Sequence, residues 1–231
     1  MTEQTDPGPD LDIVIPTLDA ASSIGRVAAA LSATTIAHRI TVVDGGSTDG
    51  TRDRIDGGVR LLTAPCGRGV QLVAGGAAAS APWLLFWHAD TLPGDGWEAT
   101  VRTFMRAAKP GEAGYFRFRL DDPENDAARR LERMVAWRCR TFGLAYGDQG
   151  LLIRRADYGA LGGYRPLPIM EDVDLVRRIG RRNMRELAAD AVTSAARYRR
   201  DGYVARPLRN LACLALYFAG TPPARIAALY R

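Results

Sequence analysis

Lysine is almost missing from this 231-residue chain: of its 31 basic residues, only Lys109 is not arginine. Cysteine and histidine are scarce as well. Cys66, Cys139 and Cys213 are far apart, no CxxC pair occurs, and only His38 and His88 are available to join them. That pattern excludes a disulfide framework, argues against a structural zinc site and fits a reducing compartment. Long apolar runs are missing too. The longest, residues 211–219, has nine residues, against the ~20 that a membrane-crossing helix needs. The opening segment, MTEQTDPGPD, is polar and acidic, without the basic start and apolar stretch of an export signal. The expectation is a cytoplasmic protein with a disordered lead-in over residues 1–10. No internal repeat is visible.

What is present suits one large domain. Hydrophobic residues make up 47% and charged residues 25%, which excludes wholesale disorder and a multi-span membrane protein. A chain of this size buries roughly 70% of its unfolded surface, so a sizeable core needs no cross-links. The charge is uneven. Residues 1–120 hold 11 basic and 13 acidic side chains, net −2, and residues 121–231 hold 20 and 13, net +7. A basic half points to phosphorylated ligands or anionic lipid. Nucleic acid is not expected, because the arginines form no recognised binding module and lack interleaved aromatics.

Short apolar runs alternate with helical patterns. Residues 11–15 (LDIVI), 39–43 (RITVV), 59–62 and 83–87 (WLLFW) read as buried strands, the first ended by Pro16. Helices are expected from a Ser22 or Ser23 cap through residue 33 and over 68–80. In the second half, 115–120 and 149–153 read as strands, and 127–142 and 171–182 as helices. The helix from 171 has carboxylates in its first turn and arginine later, as the helix dipole favours. Such alternation predicts an α/β fold with a mainly parallel sheet covered on both faces. Ligands of such sheets bind beyond the carboxyl ends of the strands. Asp19, Asp44 and Asp90 all follow strand ends and are expected to gather at one rim. The end of the chain, residues 206–231, contains two apolar helical pieces broken by Pro222-Pro223. Its leucines and flanking arginines suit an anionic membrane surface, the domain itself or a partner subunit, as in a homodimer.

Read alone, each chemical motif has a plain structural alternative. Asp44-Gly45-Gly46-Ser47 is a capped turn, or a place where backbone approaches a flat ligand while the carboxylate accepts from a base N–H. Asp90 is a helix cap, or a carboxylate for Mg2+ or Mn2+ completed by phosphates and water. Arg68, in a glycine loop that opens a helix, is a solvated arginine or a phosphate ligand. His88 is a core histidine or a ligand. Glu171-Asp172 are helix-start acids or reacting groups.

The order of the pieces is more specific. IPTLDA, VDGGSTDGT, a basic glycine loop, LLFWHADT, GDQGLLIRR and MEDVDL follow one another over residues 11–203. The series resembles the family-2 glycosyltransferases of the GT-A fold. Within that family, HADT, GRGxQ and GDQG resemble the compact bacterial subgroup encoded beside radical-SAM and selenium-domain genes, which carries an arsenosugar-biosynthesis label. The resemblance implies a GT-A domain over residues 11–205, with a nucleotide half (11–120) and an acceptor and catalytic half (121–205). It implies that Asp44 bonds the base, that Pro16, Thr17, Leu18 and Asp19 line it with Gly45 and Ser47 nearby, and that His88, Ala89 and Asp90 form the metal and diphosphate segment. Arg68 would join the diphosphate. Asp172 would be the base, with Glu171 beside it, and Asp148, Gln149, Gly150 and Met170 would border sugar and acceptor. Two positions depart from the family pattern: Ala20 stands where a Glu is usual, and His88 replaces the first acid of DxD. The QxxRW motif of processive synthases is absent. Arg197-Tyr198 is its nearest remnant, expected at the diphosphate.

One base and no evident nucleophile predict a single displacement with inversion. A sugar would pass from a nucleotide diphosphate sugar to a hydroxyl acceptor, with Mg2+ or Mn2+ as cofactor. UDP-sugar is favoured because Asp44 suits the N3–H of uracil, while GDP also offers an N–H edge. Two alternatives stay open at this point: a nucleotidyltransferase, which would release pyrophosphate, and a non-catalytic nucleotide-sugar-binding protein.

Overall fold

The computed structural model describes residues 8–230. Of the expected lead-in, residues 1–7 lie outside the described residues, and Asp10 is tied to the sheet by backbone bonds with Ala37 and Trp83. The chain runs β1 (Leu11–Thr17), α1 (Ile24–Ser32), β2 (His38–Asp44), β3 (Arg60–Thr63), α2 (Arg68–Ala78), β4 (Trp83–Phe86), β5 (Thr91–Pro93), α3 (Trp97–Ala107) and β6 (Ala113–Leu120). It continues through α4 (Asp126–Phe142), β7 (Leu151–Arg154), α5 (Arg155–Ala160), α6 (Glu171–Ile179), β8 (Met184–Thr193), α7 (Ala196–Asp201), α8 (Ala205–Phe218) and α9 (Pro223–Tyr230). The described strands form one sheet in the order β3-β2-β1-β4-β7-β6-β8-β5. β3, β2, β1 and β4 are mutually parallel, as are β6 and β8. β7 is antiparallel to β4 and β6, and β5 is antiparallel to β8. The result is the expected mixed, mainly parallel α/β architecture.

The continuous apolar strands have a simple cause: both faces of the sheet are covered. Val14, Val43, Leu84 and Phe86 point to one face, where residues of α2, α4, α6 and α8 pack on them. Ile13, Ile15, Val42 and Leu85 point to the other, under α1 and α3. Successive side chains of a strand face opposite ways, so a doubly covered strand is apolar on both faces except where a buried polar group finds a partner, as Asp12 does with the N–H groups of Ser80 and Ala81.

Several boundaries differ from the sequence reading. β1 does not stop at Pro16 but runs to Thr17. Val14 O accepts from Trp87 on the β4 side, and Thr17 O accepts from Gly45 on the β2 side. By alternation Pro16 faces the β4 side, where β4 has already ended, so its missing N–H breaks no ladder bond. Ser23 sits at the start of α1 but makes no side-chain cap bond. α6 ends at Ile179, because Gly180 adopts φ +83° and ψ 142°, a non-helical conformation open to glycine. The strand β8 and the helix α3 were not anticipated. β8, MRELAADAVT, is rich in residues that strands disfavour, and its pairing between β6 and β5 overrides that propensity.

Side chains stitch the loop after β1 to the turn after β2. Asp19 adopts φ +47°. Its N–H donates to Ser47 Oγ at 2.9 Å and its carboxylate accepts from Thr48 N–H at 2.9 Å. Ala20 N–H donates to Thr51 Oγ1 at 2.8 Å, and Ala21 N–H to Asp49 at 3.0 Å. Beneath them Asp44 is fully buried. Its carboxylate accepts from Gly46 N–H, from Ser47 N–H and Oγ, and from Arg52 Nε at 2.7 Å. Burial opposes its charge, but the bonds from Ser47, Arg52 and Gly46 outweigh it and hold the carboxyl below the usual range.

At the other end, α8 and α9 pack on the domain through Cys213, Leu214 and Ile226, while Leu208, Leu211 and Phe218 are exposed, as is Val204 just before α8. Among the described residues, no helix is long and apolar enough to cross a membrane.

Two predictions follow from this packing. α2 crosses the sheet at Gly75, where an added Cβ would lie 2.2 Å from Val14 Cγ1 and 3.1 Å from Val43 Cγ2. Alanine gains about 1 kcal/mol in helix propensity, but overpacking costs about 1–3 kcal/mol, and so deep an overlap belongs at the upper end. Gly75→Ala is expected to lower stability by about 1–2 kcal/mol in urea unfolding, with partial recovery on adding Val14→Ala. An unchanged midpoint would show that α2 sits further from the sheet. For Asp44, a carboxyl pKa lowered on folding contributes stability that is fully present above the unfolded value and lost as pH falls through the native one. Asp44→Asn is therefore expected to cost about 1–3 kcal/mol at pH 7, a gap that closes below about pH 4. A gap of constant size down to pH 2.5 or so would show that charge is not what Asp44 supplies.

Candidate active site

Two clefts lie side by side past the carboxyl ends of β1 and β4, the usual ligand side of such a sheet. The first has a volume of about 510 Å³ and takes Pro16, Thr17, Leu18, Asp19 and Ala20 after β1, Cys66 and Gly67 before α2, and Ala89. The second, about 650 Å³, is bounded by Tyr146, Gly147, Asp148, Met170, Glu171 and Asp172, and at its far end by side chains of α7 and α8. Arg68, His88, Asp90, Ser194 and Arg197 line both. Each cleft is within the range of small-molecule sites, roughly 300–1,000 Å³.

Arg68, the first residue of α2, is the joint of the shared wall. Its Nε donates to Glu171, its Nη2 donates to Asp172 Oδ2 at 3.3 Å, and its Nη1 lies 3.3 Å from His88 Nε2. Desolvation works against the Arg68 charge, but Glu171 and Asp172 more than offset it and hold the guanidinium firmly protonated. Arginine has donors only, so His88 Nε2 faces it as an acceptor. On its other side His88 Nδ1 lies 3.7 Å from Asp90 Oδ1.

Asp172 opens α6. Its Oδ2 also accepts from Gly147 N–H at 2.9 Å, and its Oδ1 accepts from Val173 N–H at 2.7 Å. Gly147 owes its place to size: a Cβ there would meet His88 Nε2 at 2.7 Å. The Asp172 side chain keeps 11% of its surface, and of the two clefts it faces the second. Just before it, Met170 adopts φ +65°, a conformation that costs a non-glycine residue of order 1–3 kcal/mol and often marks functional sites. Met170 and Asp19 are the two non-glycine residues with positive φ among the described residues, and each borders a cleft.

Asp90 is the one carboxylate of the shared wall. Desolvation opposes its charge, but His88, and Arg197 at 3.8 Å, hold its carboxyl down at about 2. Burial pushes Asp148 the other way, upward, only partly offset by His88 and Arg138. Tyr198 stacks on Tyr203 at 5.7 Å, and burial pushes its hydroxyl up to about 12. Among the described residues, no group of three or more His, Cys, Asp or Glu is placed to hold a metal ion.

The structure thus brings Pro16, Thr17, Leu18, Asp19, Arg68, His88, Ala89, Asp90, Asp148, Met170, Glu171, Asp172, Arg197 and Tyr198 to the paired clefts. Five expected residues lie elsewhere. Asp44, Gly45 and Ser47 line neither cleft. The expected gathering of three carboxylates therefore reduces to Asp19 and Asp90, because Asp44 is turned into its own turn and Arg52. The preference for uracil, which rested on Asp44, loses its structural basis. Gln149 is buried and uses its amide on Arg138, Cys139, Tyr146 N–H and Phe116 O. Gly150 packs against Trp87, which a Cβ would meet at 2.7 Å. Both support the cleft from behind. Gly147, the first residue of GDQG, lines the second cleft as that motif suggests, and Tyr146, Ser194, Arg200, Asp201, Arg206 and Arg209 line it without a motif to mark them. For the arginines the one signal in the sequence is the charge excess of the second half.

Comparison with known proteins agrees with this geometry. The family model described as Glycosyl transferase family 2 matches residues 12–162, stopping short of Glu171-Asp172. No curated protein matches the sequence. Solved structures with a similar fold include glucosyl-3-phosphoglycerate synthase from Mycobacterium tuberculosis with Mn2+, UDP and glucosyl-3-phosphoglycerate, at 18% identity and TM-score 0.54, over 81% of this chain and 71% of that one. The mannosyltransferase PcManGT from Pyrobaculum calidifontis, with GDP-Man and Mn2+, aligns at 15% identity and TM-score 0.62, over 89% and 61%. TarS 1-349 from S. aureus aligns at 14% identity and TM-score 0.57, over 79% and 57%. Likeness at such identities speaks for the shared GT-A fold, and the chain spans 57% to 71% of those three structures. The family model covers well more than half of the 231 residues, and the chain belongs to glycosyl transferase family 2.

Proposed function

We propose that this transferase moves a sugar from a nucleotide diphosphate sugar to a hydroxyl acceptor by a single inverting displacement. The observation that carries the reading is the pair of clefts meeting on one charged wall, with Asp172 on the second cleft alone of the two. The nucleotide would lie in the first cleft against Pro16, Thr17 and Leu18, and the acceptor in the second. The diphosphate would cross the wall between Arg68 and Arg197. The N-terminus of α2, which opens there after Gly67, adds backbone N–H groups and the positive end of a helix dipole. The M. tuberculosis and P. calidifontis structures hold UDP and GDP-Man respectively, and both kinds of donor are compatible with this first cleft.

In the reaction the acceptor oxygen bonds to the anomeric carbon as the bond from that carbon to the diphosphate oxygen breaks. The electron pair leaves with the nucleoside diphosphate, and the acceptor proton passes to Asp172. Arg68 and Gly147 N–H hold that carboxylate in place, while its remaining exposed surface faces the acceptor cleft. Positioning of this kind accounts for much of the rate of a displacement. Arg68 and Arg197 meet the charge that develops on the leaving group.

The residues also fit a divalent metal. Asp90 is an ionised carboxylate at the junction, and one or two carboxylates completed by substrate phosphates and water are the usual seat of Mg2+. Mn2+ is held with the nucleotide in two of the similar structures. Asp90 would hold the ion, with His88 orienting that carboxylate. When bound, the metal would neutralise charge on the diphosphate.

Two measurements test the assignment. Asp172→Asn is expected to lower kcat by about 10²–10⁴-fold, with nucleotide affinity by calorimetry nearly unchanged. Retention of more than about a tenth of the wild-type rate would remove Asp172 as the base. Asp90→Ala is expected to weaken UDP or GDP binding about ten-fold or more when Mn2+ is present, with little change in its absence. Equal losses with and without Mn2+ would take the metal away from Asp90. Product identity checks the reaction class: a nucleoside diphosphate is expected, and pyrophosphate would mean nucleotidyl transfer.

A further inference from the structure

The second cleft does not end at Asp172. Beyond Tyr198 it is closed by α7 and α8, and the charged side chains of that far end are Arg200, Arg206, Arg209 and Asp201. One carboxylate meets three guanidiniums. Asp201 lies 2.7 Å from Arg200 Nε, 3.0 Å from Arg206 Nη1 and 3.7 Å from Arg209 Nη2. A single such pair would be enough to tie α7 to α8, yet Arg200 and Arg206 share the one carboxylate of Asp201. Arg206 is the least solvated of the three, with 15% of its side chain exposed and its guanidinium 5.4 Å from the Tyr198 ring centroid. None of the three arginines lines the first cleft. They are therefore separate from the wall that the donor diphosphate would use.

We infer that this far end is a phosphate subsite, and that the acceptor carries a phosphate monoester some distance from its reacting hydroxyl. The inference rests on the glycosyltransferase reading above and names the class of its acceptor. The sign of the charge matches: Arg200 and Arg206 outnumber the Asp201 carboxylate they share, and a phosphate monoester carries about −1.5 to −2 at pH 7. The shape matches as well, since planar guanidinium forks bind phosphate oxygens through paired N–H groups. An acceptor anchored at that end would lay its hydroxyl toward Asp172 along the same cleft.

The test uses the full chain saturated with UDP and Mn2+, so that the first cleft and the shared wall are filled. Calorimetric titrations with glycerol 3-phosphate and with glycerol then probe the second cleft. Glycerol 3-phosphate is expected to bind and glycerol not, with affinity falling as salt rises. Arg206→Gln is expected to weaken the phosphate about ten-fold or more. Because Arg206 also packs on Tyr198, Arg200→Gln is the second variant; at 75% exposure it has little to do with folding, and a loss of about three-fold or more is expected. Equal binding of the two probes, no binding of glycerol 3-phosphate, or binding that neither variant changes would overturn the subsite. Phosphate binding seen only without UDP would place it on the shared wall and also overturn it. UDP binding is measured first. If UDP fails to bind, the glycosyltransferase reading fails by itself, and the same titrations on the free protein still decide the subsite.

Discussion

The Arg68 guanidinium is the contact on which the site depends. It belongs to the first turn of α2 yet meets Glu171 and Asp172, more than one hundred positions later, and His88 after β4. A charge so placed is tolerable only because partners surround it, and each partner is tolerable for the same reason. Removing Arg68 would leave two neighbouring carboxylates, Glu171 and Asp172, without their shared cation. The interaction thus joins the two halves of the chain electrostatically where their clefts meet. It also sets the direction in which Asp172 presents its remaining surface.

The scaffold makes that contact possible by bringing backbone unusually close. Gly147 lies where a Cβ would strike His88, and Gly69 where one would strike the backbone of Leu167 at 2.4 Å. These approaches draw the loop before α6 and the loop after α4 onto the mouth of the sheet. Behind them, Gln149 fastens the loop after α4 to the core, and the buried carboxylate of Asp44 holds the turn after β2. Residues that look catalytic in a motif can therefore serve by holding the frame, while ordinary arginines of a surface helix reach a cleft.

The charge distribution takes on a specific meaning in this arrangement. The first cleft has few cations beyond Arg26 and the shared Arg68 and Arg197, whereas the second gathers arginines from α7 and α8. The excess of +7 in residues 121–231 is thus partly gathered at the end of the cleft remote from the nucleotide side. Asp90 is held ionised beside His88 and Arg197, while burial raises Asp148.

The alternation of apolar strands and helices, read from sequence alone, determined the α/β class, the parallel first half and most of its elements. Those strands are covered on both faces, so their pattern is strong. The motif order likewise marked Arg68, Asp90, Glu171 and Asp172, because these lie at strand or helix ends beside glycine or turn residues. Other features were out of reach of local pattern. β8 carries few strand-forming residues and exists because β6 and β5 pair with it. The inward turn of Asp44, the supporting role of Gln149 and the convergence of Arg200, Arg206 and Arg209 depend on neighbours distant in the chain. Sequence thus determined which residues can bear charge at the ends of buried strands. Tertiary structure alone decided which of those charges face a cleft and which are spent on one another, because pairing over tens of residues has no periodicity to read.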